Sequence, residues 1–176
     1  GSFVLLGFAL AFGLLLWMVS DAVVGDALFH MGRVRKMLEF GDLHLRTVDE
    51  FKDGGLHPGY AFPLWHGFLA MVAQVSFLDP AIVMKHEASL LVPLACVIAW
   101  ESGIAVFGVL AGGLTVLMTQ VALFALAPGH GGAYADLALP GTASRQLFAP
   151  AAVTLFFTYL RSRSLPVAVS FTLTGD

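Results

Sequence analysis

The sequence predicts an all-α, polytopic transmembrane helical protein with an amphipathic surface helix in its first large loop. Hydrophobic residues make up 58% of the 176 residues, charged residues only 12%, and the mean hydropathy is +0.84. A soluble domain is about 45–50% apolar and about 25% charged. Several apolar runs also approach the ~20 residues that a helix needs to cross a bilayer. Charge is concentrated instead of spread, because positions 21–53 hold twelve of the 21 charged residues.

This composition excludes a soluble globular enzyme and a disordered chain. The net charge of −3 argues against a nucleic-acid partner. The single cysteine, Cys96, lies in an apolar run and has no partner for an intrachain disulfide.

Five apolar runs predict the spans. The first favours a membrane helix over a cleaved signal peptide because no positively charged segment precedes it. Asp79-Pro80 predicts the start of the third, since Asp caps helices and Pro suits the first helical position. Glu101-Ser102-Gly103 is expected to separate the third span from the fourth. Gly112-Gly113 lies inside the fourth span and marks either close helix packing or a split of that span into two short helices. The spans are predicted near 3–19, 60–78, 81–100, 104–127 and 146–160.

The whole chain, 1–176, is predicted to be one transmembrane domain, the N-terminal part of a longer protein, with a surface loop at 21–59. Within that loop, 21–40 is predicted to be a helix lying along the membrane. Its apolar stripe has helical spacing, and a polar stripe lies beside it. The apolar stripe is Ala27, Met31, Val34 and Leu38, and the polar one is Asp26, His30 and Arg33.

The distribution of Lys and Arg bears on orientation. With five simple spans, the side of the 21–59 loop carries seven Lys and Arg and the other side two. The positive-inside rule then places the charged loop in the cytoplasm. A split at Gly112-Gly113 is expected to bring 128–145 to the same side as 21–59 and to move Arg161 and Arg163 to the other.

Candidate catalytic residues follow the first span directly. Asp21 and Asp26 are either a helix cap and a solvated face, or carboxylates held at the membrane surface as bases. A carboxylate can take a proton, an imidazole at His30 can assist it, and a guanidinium at Arg33 can hold a phosphate.

Three further positions are candidate substrate-binding residues. His57 lies in a loop that Gly and Pro constrain, which is either a structural turn or a substrate loop. His66 opens the second span among aromatic residues typical of an interfacial belt. Arg145 precedes the last span, as an interface anchor or as a ligand for a lipid phosphate.

The group Lys85-His86-Glu87 lies in the first turns of the third span. Ionisable groups at membrane depth are usually functional or paired, although near a helix end they also snorkel. His86 and Glu87 are about 100° apart on a helix and are expected to point in different directions.

Metal and phosphate motifs are absent. The sequence contains no phosphate-binding Gly-rich loop, no His-Glu-x-x-His and no Gly-x-Ser-x-Gly. The sequence predicts no cofactor and leaves assistance by a divalent metal open.

A resemblance to a known family rests on Gly25 to Lys36, where an apolar span is followed by Asp, an aromatic/His position and an Arg-bearing amphipathic helix. This pattern resembles the start of the GT-C glycosyltransferases, polytopic enzymes that take sugars from polyprenyl-phosphate carriers. The stretches 53–66 and 139–146 are similar to uncharacterised actinobacterial membrane proteins of this kind. The resemblance implies that Asp26 is the general base, with Asp21 as second choice. It also implies that the first large loop lies outside the cytoplasm, against the Lys and Arg distribution.

The function predicted is sugar transfer from a polyprenyl-phosphate donor to a cell-envelope acceptor in the bacterial plasma membrane. The expected partners are the lipid-linked donor and membrane lipids. The alternative is a non-enzymatic membrane module, such as a transporter fragment or an assembly subunit.

Overall fold

The computed structural model describes residues 2–20, 22–41, 64–126 and 134–162. All regular secondary structure in these ranges is helical, which confirms the all-α prediction. The α-helices are α1 (Ser2–Val19), α2 (Asp26–Phe40), α3 (Leu64–Ser76), α4 (Pro80–Phe107), α5 (Leu110–Leu126), α6 (Pro140–Ala143) and α7 (Ala149–Ser162). A 3₁₀ turn at Tyr134–Asp136 precedes α6, and a π turn at Ser144–Phe148 joins α6 to α7.

Helix α4 organises the fold. Asp79 caps it by accepting a hydrogen bond from the backbone N–H of Ala81, with Pro80 at the first helical position, as the sequence predicts. Its 28 residues are long and apolar enough to cross a membrane, and α4 alone meets that description among the described helices. Five spans of the predicted lengths are therefore not supported. In particular, the 13 described residues of α3 measure about 20 Å, which is less than the length of a span.

The predicted interruption at Glu101-Ser102-Gly103 is wrong, because α4 runs through it and ends at Gly108 instead. Gly108 adopts φ +75°, and its backbone N–H donates to the Ile104 carbonyl, so it closes the helix as a left-handed cap. Three polar or small residues do not end a helix whose face is packed here, since Ser102, Gly103 and Ala105 are buried.

Gly112-Gly113 does not split α5, which corrects the second interpretation of that pair. A Cβ on Gly103 would lie 2.3 Å from the Gly112 carbonyl oxygen, so the two backbones touch where α4 and α5 cross. The pair therefore serves close helix packing.

The helices divide the bundle into two ends. Trp17 stacks on His86 with centroids 3.9 Å apart, so α1 runs antiparallel to α4. The end that holds α2, the start of α4 and residues 134–145 is called the α2 end, and the opposite one the Gly108 end. Ala138 belongs to the same buried apolar cluster as Val34 and Val83, so this part of 128–145 lies at the α2 end. The turn responsible is at Gly108. That 128–145 shares a side of the membrane with 21–59 stays a prediction.

Helix α2 begins at Asp26, five residues later than predicted, and it packs on protein. Its most buried residues are His30, Arg33, Val34 and Met37, whereas three of the four residues of the predicted apolar stripe are only partly buried. The polar stripe thus faces inward, against α3 and α4. The reason is that α3 supplies a polar partner there, which the helical wheel of α2 alone does not show.

Candidate functional site

The polar stripe of α2 brings Asp26, His30 and Arg33 to one face, because residues three and four apart are neighbours on a helix. His30 is 1% exposed and Arg33 is 3% exposed, whereas the Asp26 side chain is 43% exposed. The stripe therefore runs from a carboxylate at the surface to a buried imidazole and a buried guanidinium.

Helix α3 supplies the partner of His30. The Nδ1 atom of His30 lies 2.7 Å from Nε2 of His66, and the two rings stack with centroids 5.0 Å apart and planes 20° apart. His66 is also 1% exposed. His66, predicted to bind substrate, therefore lies buried against His30, and its role toward a substrate stays a prediction.

Asp26 and the two histidines form an ordered row. An oxygen of Asp26 lies 3.6 Å from Nε2 of His30, which is too long for a hydrogen bond but close enough for an electrostatic interaction. From surface to interior the row is carboxylate, imidazole, imidazole.

Both imidazoles are held neutral. Burial lowers the pKa of His66 to about 3, with further lowering by the charges of His30 and Arg33. Burial also lowers the pKa of His30, and the charge of Arg33 adds to this while the Asp26 carboxylate opposes it. At neutral pH the pair is therefore one hydrogen bond between two uncharged rings.

The position of Asp26 assigns the tautomers. A proton on Nε2 of His30 faces the Asp26 carboxylate favourably, which leaves Nδ1 as the acceptor. Nε2 of His66 then donates to it. This leaves Nδ1 of His66 as a buried acceptor, and it has no hydrogen-bond partner among the described residues. These tautomers follow from the negative charge of Asp26 beside Nε2 of His30.

Arg33 contributes a fixed positive charge. Its guanidinium carbon lies 5.9 Å from the centroid of the Phe29 ring, within the range of a cation–π contact. Its burial means that its charge acts mainly inside the site, on both imidazoles.

The segment after α5 closes over α3. Nε1 of Trp65 donates to the Ala138 carbonyl at 2.7 Å, directly beside His66 in sequence. Arg145 lies exposed on the π turn and makes a long hydrogen bond of 3.5 Å to the Thr142 hydroxyl. Turns of this kind occur frequently at functional sites.

Two predicted residues, Asp21 and His57, lie outside the described residues. Glu87 stands out within them: it is 6% exposed, and neither of its carboxyl oxygens has a hydrogen-bond partner in the described part of the chain. The expected divergence of His86 and Glu87 is confirmed, since His86 stacks on Trp17 of α1. The sequence signal for Glu87 is an acidic residue that directly follows Lys85 and His86 at the start of an apolar run.

Across ranges 2–20, 22–41, 64–126 and 134–162, no three His, Cys, Asp or Glu side chains come together as a metal-ligand set. No family, curated protein or solved structure matches the chain.

Proposed function

We propose that the chain is part of a multi-pass membrane glycosyltransferase of the GT-C type, which transfers a sugar from a polyprenyl-phosphate donor to a cell-envelope acceptor at the bacterial plasma membrane. The donor and the surrounding membrane lipids are its proposed partners. The row of Asp26, His30 and His66 carries the proposal.

Multi-pass insertion draws support from helix lengths and surfaces. Besides α4, the apolar helices α1 and α5 have 18 and 17 residues, at the lower limit for a span. Residues 140–162 are helical throughout, about 34 Å, because α6, the π turn and α7 are continuous. Large apolar side chains on these helices are exposed, among them Phe3, Met18, Leu90, Leu114, Met118 and Phe156. Such a surface suits lipid tails.

The row at the α2 end has the parts that the reaction needs. An acceptor hydroxyl attacks the anomeric carbon, the bond from that carbon to the phosphate oxygen breaks, and the phosphate leaves with the electron pair. Asp26, at the surface, takes the hydroxyl proton. His30 interacts electrostatically with the carboxylate beside it, and His66 holds the His30 ring in place. No second carboxylate is needed because the lipid phosphate is already a leaving group.

The test is transfer of radiolabelled hexose from synthetic polyprenyl-phosphate hexoses to an oligosaccharide acceptor, catalysed by the purified full-length protein. Asp26→Asn keeps the shape and removes the base, so transfer is expected to fall about 10²–10⁴-fold. Glu39→Gln, at an exposed position on the same helix, is the matched control and is expected to transfer normally.

Asp21→Asn is expected to do much less than Asp26→Asn. Normal transfer by Asp26→Asn contradicts the assignment of the base, and absence of transfer by the wild type from every donor contradicts the proposed reaction.

A transporter fragment is the second candidate, and Glu87 favours it. An ionisable residue inside a membrane bundle marks a proton or substrate path by default. Proteoliposomes that contain the protein are tested for uptake of a solute. If Glu87→Gln abolishes this uptake and Asp26→Asn leaves it intact, the protein is a transporter.

A further inference from the structure

The Gly108 end contains a cleft of about 290 Å³, lined by Glu101, Ile104, Ala105, Thr158, Arg161 and Ser162. Helices α4 and α7 form its two walls, and the lining residues have the same spacing along each helix. Glu101, Ile104 and Ala105 lie at i, i+3 and i+4 on α4, and Thr158, Arg161 and Ser162 repeat that spacing on α7. One face of each helix therefore opens onto the cleft.

One acidic and one basic side chain line this cleft, and they do not form an ion pair with each other. The side chains of Glu101 and Arg161 are exposed, and they are not within ion-pair distance in the described structure. Arg161 is held in place by its Nη1, which donates to the Ile104 carbonyl at 3.3 Å near the end of α4. A positive and a negative group across one cavity, above an apolar floor of Ile104 and Ala105, complement a zwitterion.

An exposed apolar side chain adjoins the cleft. Phe107 lies one turn after Ile104, on the same face of α4, and is exposed. Helix α4 is long and apolar enough to cross a membrane, and a bilayer that it crosses would place this end near the lipid headgroups. The charged side chains of the cleft thus lie next to an apolar surface that suits acyl chains.

We propose that this cleft binds the headgroup of a phosphatidylethanolamine-type phospholipid, as a site separate from the α2 end and independent of the proposed transferase activity. Arg161 binds the phosphate, Glu101 binds the ammonium group, and the Thr158 hydroxyl donates to a phosphate oxygen. The acyl chains lie against Phe107.

Native mass spectrometry of the full chain, released from nanodiscs with equal amounts of phosphatidylethanolamine, phosphatidylglycerol and phosphatidylcholine, tests the proposal. The wild type is expected to retain phosphatidylethanolamine preferentially. Glu101→Gln is expected to lower that retention about two- to five-fold, the range for exposed ion pairs, without lowering retention of phosphatidylglycerol. Arg161→Gln is expected to lower retention of both.

Glu39→Gln and Lys36→Gln on α2 are the matched controls and are expected to keep the wild-type preference. Arg161→Gln also removes the contact with Ile104, so Glu101→Gln, which leaves that contact intact, is the deciding variant. An unchanged preference in Glu101→Gln overturns the proposal. Displacement of the lipid by free phosphoethanolamine overturns the assignment to a lipid.

Discussion

The molecule buries polar side chains in two regions with opposite outcomes. Between α2 and α3, His30 and His66 satisfy each other across 2.7 Å. On α4, Glu87 is buried with no partner among the described residues for either carboxyl oxygen. A buried hydrogen-bonded pair contributes to stability, whereas a buried polar group without a partner costs about 1–3 kcal/mol. The first region therefore contributes to stability, and the second is retained at a cost in stability.

The largest expected effect comes from breaking the histidine pair. His30→Leu or His66→Leu leaves the other ring nitrogen buried without its partner, so each is expected to lower the free energy of unfolding by about 1–3 kcal/mol. The double variant removes both polar groups and is expected to lose less than the sum of the two. Denaturant unfolding of the purified protein measures all three, and additive losses contradict the pairing.

The second-largest expected effect is a loss of stability at low pH, which comes from the histidine pair. Because the folded pKa of His66 is about 3, below the unfolded value of about 6.5, the unfolded state takes a proton that folded His66 does not. Stability contributed by this group is complete above about pH 6.5 and falls between there and about pH 3 by up to ~1.4 kcal/mol per pH unit.

Melting temperatures measured between pH 7.5 and 4.5 check this pH dependence. His66→Gln is expected to flatten the profile. His86→Gln removes an imidazole that stacks on Trp17 and is not paired with another, so it should keep most of the slope. A wild-type profile as flat as that of His66→Gln refutes the expectation.

A smaller effect of opposite sign is expected at Glu87. Glu87→Leu removes a buried carboxyl that lacks a partner and is expected to raise the free energy of unfolding by about 1 kcal/mol. Glu101→Leu changes an exposed carboxyl on the same helix and is expected to have almost no effect. A loss of stability in Glu87→Leu shows that the carboxyl has a stabilising contact.

The smallest effect concerns a polar pair that is not buried. Arg35 donates through Nη2 to both oxygens of Asp79, at 2.8 and 3.1 Å, and both side chains are about half exposed. Arg35→Gln is expected to cost little stability, and less at high salt than at low salt, because the pair is exposed to solvent. Thermal unfolding at low and high salt measures it, and a loss equal to that of His30→Leu contradicts the importance of burial.

Much of the local structure is predictable from sequence. The all-α class follows from long apolar runs, and the start of α4 at Pro80 follows from the Asp79 cap. The stripe of Asp26, His30 and Arg33 follows from helical spacing. The end of α4 was not predictable, since Gly108 and the Glu101-Ser102-Gly103 stretch are both plausible stops, and packing against α5 and α7 selects between them.

The sequence by itself determined which segments are helical, how apolar they are and which residues share a face of one helix, because these depend on neighbours within about four positions. Only the tertiary structure decided that His66 pairs with His30 across 36 positions of sequence and that Gly112 packs on Gly103. It alone showed that Glu87 is buried without a partner in the described residues. Contacts between distant segments depend on how whole helices pack, and a helix period carries no information about which other helix covers its face.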